Sequence, residues 1–105
     1  MARALKWAES AWSDLEEIAE YIDRDSPYYA ATFVASVRKA AQSLLQFPER
    51  GRVVPEFGEP SLREVFVQRY RIIYQFADET ICILGVVHGV RDLLSAWSPP
   101  SDTEP

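Results

Sequence analysis

Apolar residues in the first half of the chain recur at helical spacing in two separate stretches. The first stripe consists of Trp12, Leu15, Ile18, Ala19 and Ile22, which are three or four positions apart. The second runs through Ala30, Phe33, Val34, Val37, Ala41, Leu44 and Leu45. This pattern predicts one helix over about 10–24 and another from Pro27 to about Phe47. Because only two or three residues separate them, the two helices should fold back as an antiparallel hairpin.

Polar residues indicate where these helices begin and end. Ser10 or Ser13 is the predicted cap of the first helix; with Ser13 as the cap, Glu16 completes the Ser-x-x-Glu pattern of a capping box. Ser26 directly before Pro27 is a favourable start for the second helix, because a serine side chain can accept from a first-turn amide and proline needs no amide partner there. Pro48 predicts that the second helix has ended.

The second half of the chain has the pattern of a sheet. Residues 48–61 contain three prolines and two glycines and predict a loop. Strand-like runs follow at 62–67, 70–77 and 80–88, and a tight turn at Asp78-Glu79 connects the last two. A short strand at ALKWA opens the chain, and a short turn or helix is predicted at 91–97. The order β-α-α-β-β-β predicts an α+β fold in which the helical hairpin packs on a small antiparallel sheet.

Alternation within the second strand separates its two faces. Tyr70, Tyr74 and Phe76 share one face, and Arg71 lies on the other. The three aromatic rings are expected in the core under the hairpin rather than in a platform for stacked bases. Residues 1–98 then form one domain, and 99–105, with three prolines and no apolar anchor, form a flexible C-terminal tail.

The charge of the chain narrows the classes of function. Its 11 basic and 16 acidic residues give a formal net charge of −5, which argues against a general nucleic-acid coat protein. Residues 38–71 nevertheless hold seven basic residues against four acidic ones, so a local basic face is compatible with the acidic total. Nine of the 11 basic residues are arginine, the side chain suited to planar, bidentate contacts with carboxylate or phosphate.

Several kinds of site are not expected. Cys82 is the single cysteine, which excludes an internal disulfide and a multi-cysteine zinc site, and no cofactor or metal is predicted. The first residues lack the apolar stretch of a secretory signal, and no run approaches the roughly 18 apolar residues of a membrane span. The expected location is therefore the cytoplasm, with no membrane partner.

Five segments, in this order and with ordinary spacing, resemble the RelE/ParE toxin superfamily, and ParE-like toxins most of all. They are Asp14-Leu15-x-x-Ile18-x-x-Tyr21-Ile22 with Ser26-Pro27, Leu45-x-Phe47-Pro48-Glu49-x-Gly51-Arg52, Leu62-Arg63-Glu64, Tyr70-Arg71-Ile72-Ile73-Tyr74, and His88-Gly89-x-Arg91-Asp92. Together they span about residues 8–95. The resemblance implies the toxin of a type II toxin–antitoxin pair, neutralised by a cognate ParD-like antitoxin in a heterotetramer or a larger complex.

The resemblance implies two alternative targets. RelE-like members cut messenger RNA on the ribosome, using arginines that match Arg71 and Arg91 and a tyrosine near the position of Trp97. Tryptophan has no titratable hydroxyl, and Arg63-Glu64 stands where RelE-like enzymes carry a lysine pair. These departures favour a ParE-like inhibitor of DNA gyrase without an active site of its own. The messenger RNA endonuclease is the alternative, and an inactive adaptor of the same fold is a third.

Five residues are candidates for contact with the target or the antitoxin. They are Arg63, Arg71, His88, Arg91 and Trp97. For Arg71 and Arg91 an ion pair with Glu64 or Asp92 is favoured over catalysis, although bidentate recognition of an antitoxin carboxylate would also suit arginine. His88 is expected to be structural, and direct sequence-specific binding of nucleic acid is not expected. The antitoxin should lay an amphipathic helix and an extended tail across the hairpin and the sheet.

Overall fold

The computed structural model describes residues 3–90 and 93–99 and confirms the α+β architecture. Its elements are β1 (Ala4–Trp7), α1 (Glu9–Asp23), α2 (Pro27–Ser43), β2 (Arg52–Val53), β3 (Leu62–Val67), β4 (Tyr70–Phe76), β5 (Thr80–His88) and α3 (Leu93–Ala96). The two-residue strand β2 lies inside the segment predicted as a loop. Most of the predicted tail, 100–105, lies outside the described residues. Within the described residues, no helix is long and apolar enough to cross a bilayer.

Of the two N-terminal helix caps predicted from the sequence, the structure contains one. The side chain of Ser26 accepts a hydrogen bond from the Tyr29 amide at 3.2 Å, so the predicted cap of α2 is confirmed. The predicted cap of α1 is wrong, because Ser10 and Ser13 both lie inside the helix. The N-cap is Ala8, which makes no side-chain cap. The reason is tertiary: the Ala8 amide donates to the Ile83 carbonyl at 2.9 Å, so the end of β1 determines where α1 begins.

Helix α2 ends four residues earlier than its apolar stripe suggests. After Ser43 the chain tightens, with amides donating to carbonyls three residues back, as from Leu44 to Ala41 at 3.1 Å. Leu44 is still fully buried, which explains why the stripe continues past the helix. Pro48 disfavours helical backbone in the residue before it.

The sheet contains five strands in the order β1-β5-β4-β3-β2. The pairs β2–β3, β3–β4 and β4–β5 are antiparallel, as expected for strands that follow one another in sequence. The pair β1–β5 is parallel, with Ala4 opposite Thr80 and Trp7 opposite Ile83. The sheet is therefore mixed, because the first strand of the chain lies beside the last. Strand β1 pairs only with the first half of β5.

The hairpin covers one face of this sheet. Phe33 of α2 is fully buried and contacts the Tyr70 ring with centroids 5.1 Å apart. Tyr74 is also fully buried; its hydroxyl donates to the Pro48 carbonyl at 2.7 Å and accepts from the Gly51 amide at 3.0 Å. Tyr74 thus belongs to the core, as the strand alternation predicts, whereas Tyr70 and Phe76 are partly buried and pack against it.

The opposite face of the sheet is covered by shorter segments. Leu93 of α3 is buried in the hydrophobic core, and the Trp97 indole lies over Gly85 of β5. The Phe57 ring, from the loop after β2, meets Trp97 edge-on at 6.0 Å. The same face carries a cluster of four charged residues.

Candidate functional site

Four charged residues form an ion-pair cluster on the sheet face opposite the helices: Arg52, Glu56, Glu64 and Arg71. The two terminal nitrogens of Arg71 donate to the two carboxylate oxygens of Glu56, each at 3.0 Å. Nη1 of Arg71 also donates to Glu64 Oε1 at 3.2 Å. Arg52 Nε donates to the other oxygen, Glu64 Oε2. Strand pairing sets this arrangement, since Glu64 lies opposite both Arg52 on β2 and Ile73 on β4.

The positive and negative charges of the ion-pair cluster are equal in number. Arg71 and Glu64 are buried, and two carboxylates face two guanidinium groups. Hydrogen bonds from Arg71 hold the pKa of the Glu56 carboxyl below its ordinary value, and the same contacts raise the pKa of Arg71. The predicted ion pair of Arg71 with Glu64 is confirmed. Glu56 was not foreseen as a partner, because its loop carries no periodic pattern that places it on the sheet.

Arg63 stabilises the loop that leads into the sheet. Its Nε donates to the Pro60 carbonyl at 2.9 Å, and its Nη1 donates to the carbonyls of Glu49 and Gly51 at 3.2 and 3.1 Å. The guanidinium also lies 5.6 Å from the centroid of the Phe76 ring. With these contacts Arg63 holds together the two ends of the loop predicted at 48–61.

A groove runs along the part of β5 that extends beyond β1. This edge groove has a volume of about 440 Å³. Its described lining is Asp14, Glu17, Ile18 and Tyr21 of α1, Tyr70 of β4, Val86, Val87 and His88 of β5, and Trp97. Two of the candidates from the sequence, His88 and Trp97, therefore meet in one groove. Arg63 and Arg71 are not part of its lining.

Asp14 attaches α1 to the edge of β5. Its carboxylate accepts a hydrogen bond from the Val86 amide at 3.1 Å. Burial raises the pKa of the Asp14 carboxyl; the bond from Val86 lowers it in part, and the charge of Glu17 raises it further. In the sequence, Asp14 was noted only as the first residue of a segment that resembles ParE-like toxins. Its contact with β5, 72 positions away in the chain, could not be inferred from spacing.

His88 makes local contacts at the mouth of the edge groove. The Tyr70 ring meets the His88 ring edge-on at 5.2 Å, and His88 Nδ1 accepts from the Val90 amide at 3.4 Å. These contacts are consistent with the structural role expected for this histidine. Arg91 and Asp92, the remaining candidate and its suggested partner, lie outside the described residues.

Among residues 3–90 and 93–99, no group of three histidine, cysteine, aspartate or glutamate side chains could hold a metal ion. The arrangement instead consists of a neutralised ion-pair cluster and a groove lined by aromatic rings and carboxylates.

Comparison with known proteins identifies the family. A family model described as the ParE toxin of the type II toxin–antitoxin system parDE matches residues 5–93. The chain belongs to the ParE toxin family. It is thus a type II toxin of the RelE/ParE superfamily, as the five sequence segments predict.

Two curated relatives of this ParE family member are also toxins by name. Toxin RelE2 of Caulobacter vibrioides is 37% identical over 86 residues, which cover 81% of this chain and 93% of the relative. The putative toxin Y4kP of Sinorhizobium fredii is 36% identical over 50 residues, covering 48% of this chain and 52% of the relative.

A solved structure shares the fold of this ParE family member. It is described as the chromosomal ParDE system from P. aeruginosa and superimposes with a TM-score of 0.67. The match covers 82% of this chain and 95% of the other, at 22% sequence identity.

Proposed function

We propose that this toxin is neutralised by a ParD-like antitoxin and acts by binding DNA gyrase, without cutting RNA. The toxin class follows from the family. The family is named after ParE, whereas one curated relative is named RelE2, so the names alone do not separate the two targets. The choice between the two targets therefore rests on the chemistry of the sheet face that RelE-like enzymes use.

The choice of target rests on one observation: Arg71 is buried and already bonded to carboxylates. Cutting RNA without a metal ion requires cations that hold phosphate and a group that moves a proton from the 2′-hydroxyl. Arg71 is buried, and both of its terminal nitrogens already donate to carboxylates. A phosphate would have to displace Glu56 and would then lie against Glu64. The ion-pair cluster thus opposes phosphate binding.

Trp97 also favours a contact surface over a nuclease site. Its indole packs against Gly85 and Phe57, and tryptophan carries no hydroxyl that could exchange a proton at neutral pH. An aromatic ring held in this way is typical of residues that contribute strongly to protein–protein interfaces.

The outer side of the helical hairpin supports the antitoxin as a partner. A groove of about 760 Å³ lies between α1 and α2, and we call it the hairpin groove. Its lining is Glu16, Ala19, Glu20, Asp23, Pro27, Ala30, Ala31, Val34, Ala35 and Arg38. Small side chains on the floor let a third helix approach closely, and three carboxylates on the rim suit basic residues. An amphipathic antitoxin helix fits this groove.

The runner-up function is a ribosome-dependent messenger RNA endonuclease. It is favoured by the name RelE2 of a relative and by the match of Arg71 and Arg91 to the phosphate-binding arginines of RelE-like enzymes. If that function is correct, the Glu56 carboxylate blocks the phosphate-binding nitrogens of Arg71, which the reaction needs.

A side-by-side assay separates the two functions. Purified toxin is tested on gyrase supercoiling and on messenger RNA bound to ribosomes, together with Glu56→Gln and the matched loop variant Glu59→Gln. We expect inhibition of supercoiling, intact RNA, and the same result for both variants. Cleaved RNA, particularly if Glu56→Gln cleaves faster than Glu59→Gln, would overturn the gyrase proposal.

Expression in a bacterium provides an independent test. A gyrase inhibitor should cause filamentation and a DNA-damage response while bulk translation at first continues. Rapid loss of protein synthesis with cut transcripts would instead support the endonuclease.

A further inference from the structure

The edge groove contains an unusual combination of groups on one stripe of α1. Asp14, Glu17 and Tyr21 follow one another at three- and four-residue spacing, so they share the helix face toward β5. Tyr21 is 65% exposed although it borders the groove. The Tyr21 ring is therefore accessible to a group that enters the groove.

The floor of the edge groove is the open edge of β5. The Val86 amide points to this edge, since it donates to Asp14. Peptide groups of alternate residues point to the same side of a strand, so the amide and carbonyl of His88 face this edge as well. Among residues 3–90 and 93–99, no strand pairs with β5 beyond Ile83 on this side. An extended segment of a partner could lie along it.

The negative charge of the edge groove indicates that such a segment should carry a positively charged side chain. Its described lining holds two carboxylates, Asp14 and Glu17, and no lysine or arginine. The Glu17 charge raises the pKa of the Asp14 carboxyl, which means that the two carboxylates repel each other in the absence of a cation. Rings of Tyr21, Tyr70 and Trp97 border the same space and can attract a cation through their faces.

We propose that the edge groove binds an arginine side chain of the antitoxin, presented by an extended segment along β5. Arginine fits better than lysine because its planar guanidinium stacks on rings and forms bidentate bonds with carboxylates. The inference rests on the antitoxin part of the proposed function and is independent of the target.

Other occupants fit less well. The chain's own C-terminal residues 98–105 contain no basic residue, so the tail cannot supply the cation. A second copy of the chain carries a net charge of −5, which disfavours its approach to an acidic groove, although its own basic residues lie mainly in 38–71. The antitoxin is the partner that the toxin family implies.

A peptide titration tests the groove directly. Isotope-labelled toxin is titrated with two capped pentapeptides that are identical except for a central arginine or its uncharged isostere citrulline. We expect the arginine peptide to bind roughly two- to thirtyfold more tightly, the range that a cation–π contact corresponds to. It should shift the Val86 and His88 amide signals and the Trp97 indole signal. Equal affinity of the two peptides would overturn the proposal.

Variants locate the effect within the groove. Glu17→Gln and Tyr21→Ala change exposed side chains, so the fold should survive, and each should weaken binding of the arginine peptide. Asp78→Asn is the matched control, since Asp78 is exposed in the β4–β5 turn at the other end of the sheet. If Arg91→Gln strengthens peptide binding and shifts the same signals, the groove belongs to the chain's own arginine and the proposal is wrong.

The assembled complex provides the final test. Glu17→Lys should weaken affinity for the cognate antitoxin and reduce its dependence on salt, whereas Asp78→Lys should not change either. If Glu17→Lys leaves antitoxin affinity intact but abolishes inhibition of the target, the groove binds the target and the proposal is overturned. Failure of the gyrase assay would leave both measurements interpretable, because neither involves gyrase.

Discussion

The resemblance to RelE-like enzymes implies that Arg71 is a phosphate-binding arginine, yet in the structure its guanidinium donates to two carboxylates, Glu56 and Glu64. A buried arginine of this kind is stabilised because both of its terminal nitrogens donate to carboxylates and the opposite charges offset the cost of leaving water. An arginine at this strand position can therefore either bind a phosphate of a substrate or, as here, bind a carboxylate of a neighbouring loop. Neighbours that are distant in sequence decide which.

Replacing Arg71 by lysine tests this role. Arg71→Lys keeps the charge but cannot reach both oxygens of Glu56, so the free energy of unfolding should fall by about 1.5–3 kcal/mol. Arg52→Lys is the control: its side chain is 55% exposed, and the loss should stay below about 1 kcal/mol. Chemical denaturation measures both. Equal stability of Arg71→Lys and the wild type, with lost activity, would show that Arg71 acts on a ligand.

Asp14 should give a pH-dependent contribution to stability. Because burial raises its pKa in the folded state, ionisation of Asp14 opposes folding, and stability is lost as the pH rises through the folded pKa. Asp14→Asn keeps an acceptor for the Val86 amide without the charge. The stability of the wild type relative to Asp14→Asn should therefore decrease from pH 4 to pH 7, as followed by thermal melts across that range.

A second variant separates the charge of Asp14 from its hydrogen bond. Asp14→Ala removes the acceptor and leaves the Val86 amide unsatisfied, which should cost about 1–3 kcal/mol at neutral pH. If the asparagine and alanine variants are equally stable, the bond between α1 and β5 does not contribute to stability.

At the level of elements, α3 shows how a short segment becomes ordered by packing. Four residues are too few to form a stable helix alone. Leu93 is buried in the hydrophobic core, and Gly85 leaves the space in which the Trp97 indole lies. A side chain at position 85 would overlap the indole ring. The apolar spacing at 93–97 predicts the helix, but the glycine that accommodates Trp97 is on a different element.

This contact predicts a non-additive pair of substitutions. Trp97→Ala should lower the free energy of unfolding by about 1–3 kcal/mol, below the roughly 3–5 kcal/mol of a fully buried ring. Gly85→Ala should cost about 1–3 kcal/mol through overpacking, and much less when Trp97→Ala is also present. Melting curves of the four proteins measure the coupling. Additive costs would show that the indole does not pack on Gly85.

Toxicity of the same variants assigns a role to Trp97. Lost toxicity with a normal melting curve would mark the ring as a contact residue, whereas loss of both would mark it as core. A fully toxic and fully stable Trp97→Ala protein would rule out either role for this segment.

At the scale of the whole molecule, the domain should not depend on its last residues. Deleting 99–105 removes three prolines and two acidic residues and no apolar side chain, so folding, antitoxin binding and toxicity should remain nearly unchanged. Thermal melts and a co-expression rescue assay check this. A fall in melting temperature of more than about 4–8 °C, which corresponds to roughly 1 kcal/mol in a domain of this size, would contradict it.

The sequence by itself determined the elements whose residues are neighbours in the chain. Helical spacing, the Ser26 cap and strand alternation all depend on contacts within a few residues, so the hairpin and strands β3 to β5 could be predicted. The side of the sheet on which Tyr70 and Arg71 lie followed from the same alternation.

Tertiary structure alone decided the features that join distant residues. The parallel pairing of β1 with β5 joins Ala4 to Thr80, and α1 begins directly after β1 without a side-chain cap. Glu56 meets Arg71, and Asp14 meets Val86, across 15 and 72 positions. Local spacing contains no information on such pairs, because they form only when sheet packing brings separate segments together. Both the ion-pair cluster and the edge groove arise in this way.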